Sequence, residues 1–146
     1  HQDSFIATLA GTVTSRRTGE SALSALHHAF TEAAANADPI AGFSGPDFAR
    51  MISDSPTLSA RLRDLHDLRE AALADALADA TGALRGDITP RTAAALLGAV
   101  HRTLFQRIQE LTLIGQDNAR ISATVTAEAD KAFGLLAPSL ADYAAA

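Results

Sequence analysis

"SPTLSARLRDLHDLREAALADALADATG", Ser55 to Gly82, is the stretch whose reading decides the fold. Ser55 can cap a helix through its hydroxyl, and Pro56 suits the first helical position, where a missing N–H costs nothing. Leu58, Leu62, Leu65, Leu73, Ala76 and Ala80 then recur at helical spacing as far as about Thr81. Gly82 follows as a plausible left-handed stop.

The same grammar extends outward in both directions. Downstream, Thr89-Pro90 repeats the start signal, and a fifth helix runs to about Ile114 and stops at Gly115. Asp117 or Asn118 caps a sixth, ending near Pro138, and the tail "ADYAAA" reads as frayed. Upstream, a first helix spans about Gln2 to Arg17 and is broken at Thr18-Gly19. A second spans about Glu20 to Ala37, with Leu23, Leu26, Phe30 and Ala33 on one face. Ala37 to Asp47 is rich in Pro and Gly and reads as a surface loop. A short third helix follows, with Phe48, Met51 and Ile52 inward. No alternating β-branched run is long enough for a strand. The expectation is one all-α domain of about six helices over residues 1–146.

Composition narrows the function classes. The chain has 146 residues, enough for one ordinary core. It is acidic, with net charge −5 and a single lysine, Lys131. A domain that grips nucleic acid by itself is usually basic, so direct DNA binding by these residues is not expected. There is no cysteine, which excludes disulfides and thiolate chemistry and suits a reducing cytoplasm. Mean hydropathy is +0.07. No apolar run approaches the roughly 18 residues of a membrane span, so no membrane partner is expected.

No catalytic constellation stands out, and the chain is not read as an enzyme. There is no phosphate-binding loop, no dinucleotide fingerprint and no H-E-x-x-H. Gly42-Phe43-Ser44-Gly45 comes near a nucleophile elbow, but Pro46 occupies the final glycine position and no strand precedes it. Adjacent His27 and His28 point to different sides of a helix, and no metal-ligand spacing recurs; neither metal nor cofactor is expected. The anomaly is Arg69, which falls between Leu62 and Leu73 near the centre of the fourth helix's apolar face, flanked by His66. A charge there needs a partner. It is either held by an internal ion pair or hydrogen bonds to backbone carbonyls, or it is the polar anchor of a ligand cavity.

The fifth helix is apolar over about half its circumference at roughly 100° per residue: Leu96, Leu97, Val100, Leu104, Phe105, Ile108 and Leu111. Such a helix must touch two things, and Ala93 to Ala95 with Gly98 and Ala99 would let another backbone approach.

The layout of Ser55–Gly82 followed by "ITPRTAAALLGAVHRTLFQRI" resembles the C-terminal regulatory half of TetR-family transcriptional regulators, in helix order and length over essentially the whole chain. The resemblance implies an effector-binding and dimerisation domain of a one-component regulator, a repressor, sensing a small, largely apolar molecule. The helix-turn-helix that would contact DNA is not in these residues, and His1–Arg17 looks like the helix connecting it to the body. The resemblance also implies a homodimer whose last two long helices pair in a four-helix bundle. Interface candidates are Leu96, Val100, Arg107, Leu111, Ile121 and Val125. Expected pocket walls are Phe5, Leu9, Leu26, Phe30, Phe48, Met51, Leu62, Leu97, Leu104 and Phe105, with His66, Arg69 and His101 as polar groups. The alternative is a helical interaction module with a filled core and no effector.

Overall fold

In a computed structural model describing residues 2–145, helix α1 is Gln2–Thr14, α2 Ala22–Ala35, α3 Pro46–Asp54, α4 Pro56–Thr81, α5 Ile88–Leu113, α6 Asn118–Gly134 and α7 Ala137–Leu140. A single 3-10 turn lies at Pro39–Ala41, and no strand occurs among the described residues. The fold is all-α.

The caps explain the boundaries. Ser55 Oγ accepts from the Leu58 N–H at 3.1 Å, and Gly82 ends α4 in the left-handed conformation, φ 63°. α5 begins one step before Thr89-Pro90, because the Asp87 carboxylate accepts from the Thr89 N–H at 2.9 Å. Pro90 then falls in the first turn, where N–H groups have no intrahelical partner anyway. α2 starts at Ala22 rather than Glu20, since Ser21 Oγ accepts from the Ser24 N–H. α1 stops at Thr14 rather than Arg17: the Arg16 guanidinium turns back to donate to the Val13 and Ala144 carbonyls, each at 2.7 Å.

Two expectations at the C-terminus are corrected. α6 ends at Gly134, short of Pro138. Pro138 has no N–H for the Gly134 carbonyl and its ring would clash with the preceding turn, so the chain restarts as α7. Nor is the tail frayed. Leu140 and Ala144 are buried, Tyr143 packs against the core, and the Ala22 N–H donates to the Tyr143 carbonyl.

α4 lies against α1 and α5, and α6 lies against α2 and α5. The core joins Leu9 and Val13 of α1, Leu26 and Phe30 of α2, Leu73 and Leu77 of α4, Leu97, Leu104 and Ile108 of α5, and Ile121, Val125 and Phe133 of α6. The core line of α4 is His66, Arg69, Leu73 and Leu77; of the expected stripe Leu73 is fully buried, Leu62, Leu65 and Ala76 are half-buried beside it, and Leu58 and Ala80 are exposed. Leu58 is exposed because little beyond the short α3 covers the first turns of α4.

The segment before α3 is not a surface loop. Ala41, Gly42 and Phe43 are buried where the chain crosses α5. Gly42 sits at φ 122°, and a Cβ there would lie 3.0 Å from the Phe105 carbonyl oxygen, so only glycine fits this crossing. α3 in turn presents Ala49 inward, leaving Phe48 and Met51 about half exposed.

Candidate functional site

Where α1, α2, α4 and α5 meet, the core does not close. Small side chains are responsible: Ala29 and Ala33 alternate with Leu26 and Phe30 on one face of α2, and two alanines there leave a gap. The result is a cavity of about 40 Å³. Its walls are Leu9, Leu26, Phe30, Ala41 and Phe105, with Arg69 and His101 as the charged or titratable members. Thr8, Thr12, Ala29, Ala33 and Ile40, all half-buried, lie along its edge between α1 and α2. A cavity needs only about 10–15 Å³ of such space for one water, so this one holds a small group but not a drug-sized ligand.

Arg69 is the defining feature. It is 4% exposed, and no carboxylate of the described residues lies within ion-pair distance. Of the partners open to it, an ion pair is therefore absent. Its guanidinium donates to His66 Nδ1 at 3.3 Å and its Cζ lies 4.4 Å from the centre of the Phe5 ring. Burial, and then the positive charge of Arg102, lower its pKa to about 10; it stays protonated at neutral pH.

Both nearby histidines are neutral. Because a guanidinium only donates, His66 Nδ1 must be an acceptor and its proton sits on Nε2, which is buried without a partner. Burial first, then the charges of Arg69 and Arg102, depress its pKa to about 4. His101 Nδ1 donates to the Leu97 carbonyl at 2.8 Å, leaving Nε2 as a lone pair. Burial first, then Arg69, depress its pKa to about 3. Rings stack edge-on around this cluster: Phe5 and Phe105 on His66, and Phe30 and Phe133 on His101.

The thirteen residues expected to bind ligand divide into four groups. Leu9, Leu26, Phe30, Arg69, His101 and Phe105 line the cavity together. Phe5 and His66 stand behind it, against Arg69 and Phe105. Phe48 and Met51, turned outward on α3, and Leu62 of α4 instead line a separate open groove of about 450 Å³ between the two helices. Phe105 borders both spaces. Leu97 and Leu104 touch neither and are simply packed in the core. Thr8, Thr12, Ala29, Ala33, Ile40 and Ala41 were not anticipated. The pair of alanines one turn apart on α2 was the available signal.

The interface candidates also divide. Leu111, Ile121 and Val125 are buried in this chain's own core and offer no surface to a partner. Leu96 is exposed; Val100 and Arg107 are half-buried, and Arg107 pairs with Glu128 across α5 and α6 at 2.9 Å. Ala93, Ala94 and Gly98 are buried too, and Gly98 lies under Glu70 of α4. The buried part of the small-residue run thus packs within the chain, while Ala95 and Ala99 are exposed.

Among the described residues, no three potential metal ligands cluster. Buried Ser44 Oγ has no hydrogen-bond partner, so no base activates it. No helix among the described residues is long and apolar enough to cross a membrane. Comparison with protein-family models, with curated proteins and with solved structures finds no match.

Proposed function

We propose that these residues form the effector-binding and dimerisation half of a TetR-like one-component transcriptional regulator, a cytoplasmic repressor that senses a small, mostly apolar molecule. The observation that supports this reading is a cavity, open between α1 and α2, that contains a buried and unpaired Arg69. Its contacts with His66 and Phe5 bring no negative charge, and a buried cation without one is costly. A ligand that completes it gains what the apo protein lacks.

In this reading an effector entering between α1 and α2 changes how α1 rests on the body, and a separate part of the regulator contacts DNA. The effector shifts the equilibrium only by its preference for one arrangement; a tenfold preference corresponds to about 1.4 kcal/mol. Dimerisation uses the outward faces of α5 and α6, with Leu96, Val100 and Arg107 on the former. No catalytic role is proposed. A helical interaction module is the second reading, favoured by the small volume of the cavity.

The test is thermal melting with C2–C8 alcohols, carboxylic acids and amines, on the parent and on Ala29→Leu, which fills the cavity edge. At least one series should raise the parent Tm and slow amide exchange in α1, and Ala29→Leu should abolish both effects. If no series raises the Tm and Ala29→Leu is as stable as the parent, the interaction-module reading replaces this one.

A further inference from the structure

The cavity lacks one specific thing, a negative charge. No carboxylate of the described residues pairs with Arg69; Asp67, also on α4, pairs with Arg102 at 2.8 Å instead. Neither histidine supplies a counter-charge, since an imidazole is neutral or cationic and burial keeps both neutral here. Arg69 therefore leaves the site with a net positive charge.

The remaining walls restrict which anion fits. Thr8 and Thr12 line the cavity, but their hydroxyls donate to the carbonyls of Ser4 and Thr8 at 2.6 and 3.0 Å. The guanidinium is the one strong donor left, and its fork matches a planar two-oxygen head. A dianionic tetrahedral group would need more donors and more charge than the site has. Beyond Arg69, His101 and the two threonines the walls are hydrocarbon, and about 40 Å³ admits a head group and one or two carbons before the edge between α1 and α2.

We infer that the cavity binds a short aliphatic monocarboxylate, its head paired with Arg69 and its tail lying on Leu26, Phe30 and Phe105 toward the gap between α1 and α2. The inference rests on the effector reading and specifies the ligand class. Bringing a carboxylate to Arg69 replaces an unpaired buried cation with a charge-assisted pair, which is where the affinity comes from. The same positive field excludes amines.

The test uses butyrate, hexanoate, 1-butanol, butylammonium and chloride, followed by the Arg69 side-chain Nε–H signal and backbone amides in ¹H–¹⁵N NMR of the parent chain. Butyrate should shift the Arg69 Nε–H and saturate; butanol should bind at least about tenfold more weakly, the loss expected for one charged hydrogen bond. Butylammonium should not bind. Arg69→Met should weaken butyrate at least about tenfold while leaving butanol unchanged. Arg69→Lys, which keeps the charge without the fork, should be intermediate, and it preserves the test if Arg69→Met fails to fold. Chloride competing as well as butyrate would make this an inorganic anion site and overturn the carboxylate assignment. Butanol equal to butyrate would overturn the anion assignment while leaving the effector reading intact. No binding by any probe would overturn both.

Discussion

The Arg69 guanidinium carbon lies 4.4 Å from the centre of the Phe5 ring, so the side chain that carries the cavity's charge also holds α1 against α4. Phe5 is in turn edge-on to Phe105 at 5.9 Å and to His66 at 5.3 Å. A cation over an aromatic face contributes roughly 0.5–2 kcal/mol, more when desolvated. A double-mutant cycle of Phe5→Leu and Arg69→Met should therefore show a coupling of about 1 kcal/mol in chemical denaturation. Additive effects would mean that α1 does not sense Arg69.

Two glycines should respond in opposite ways to alanine. Gly42→Ala places a Cβ 3.0 Å from the Phe105 carbonyl at φ 122°, and neither the α5 backbone nor the loop can yield cheaply. The expected cost is about 1–3 kcal/mol. In Gly98→Ala the close neighbours, Glu70 Oε1 at 2.6 Å, Cγ at 3.1 Å and Cδ at 3.2 Å, all belong to one flexible side chain. It can swing aside, and alanine then adds up to about 1 kcal/mol of helix propensity. Urea midpoints of the two variants should move in opposite directions.

These glycines mark the boundary of what the sequence made legible. Local chemistry was readable: Ser55 and Gly82 bound α4 because capping depends on residues a few positions apart. Arg69 was recognisable as a core charge from its place on the helical wheel. What periodicity could not reveal was the rotation of each helix about its own axis. Phe48 and Met51 look inward on α3 by pattern, yet Ala49 is the residue buried where α3 meets α4 and α5. Leu111, Ile121 and Val125 were apolar for their own core rather than for a partner. The cavity depends on missing volume at Ala29 and Ala33, and absence of volume leaves only a faint trace in sequence.

Stability should fall on mild acidification through the buried histidines. His66 and His101 titrate near 4 and 3 in the folded chain, below the unfolded value of about 6.5. Their full stabilisation is present above pH 6.5. As pH falls below it, the unfolded chain takes up protons that the folded chain does not, at about 1.4 kcal/mol per pH unit per histidine. Between pH 6.5 and 5, the parent should lose roughly 2 kcal/mol more than His101→Gln, which has no proton to gain there. Parallel pH profiles for the two proteins would show that His101 is not held neutral.

Dimerisation, if it uses the outward faces of α5 and α6, should be sensitive to charge at exposed positions that do not support the core. Leu96 on α5 and Ala127 on α6 are both exposed. Leu96→Glu with Ala127→Glu should weaken association on the order of a hundredfold, about 2.8 kcal/mol, while helicity and apo Tm stay near those of the parent. Light scattering at tens of micromolar, an order-of-magnitude working range, reads the result. A parent already monomeric there, or a variant still dimeric, argues against this face.

Phe105 borders both the small cavity and the 450 Å³ groove lined by Phe48, Met51 and Leu62, so its ring stands at the partition between them. Removing it should join the two spaces. Phe105→Ala is expected to cost about 3–5 kcal/mol as a buried large-to-small change, and Phe105→Leu considerably less. The joined space should take longer acids than the parent: octanoate should gain affinity relative to butyrate in Phe105→Leu, with Arg69→Met removing the gain. If Phe105→Leu loses stability but octanoate and butyrate keep their parental ratio, the groove and the cavity are separate features, and only the space beside Arg69 is relevant to ligand binding.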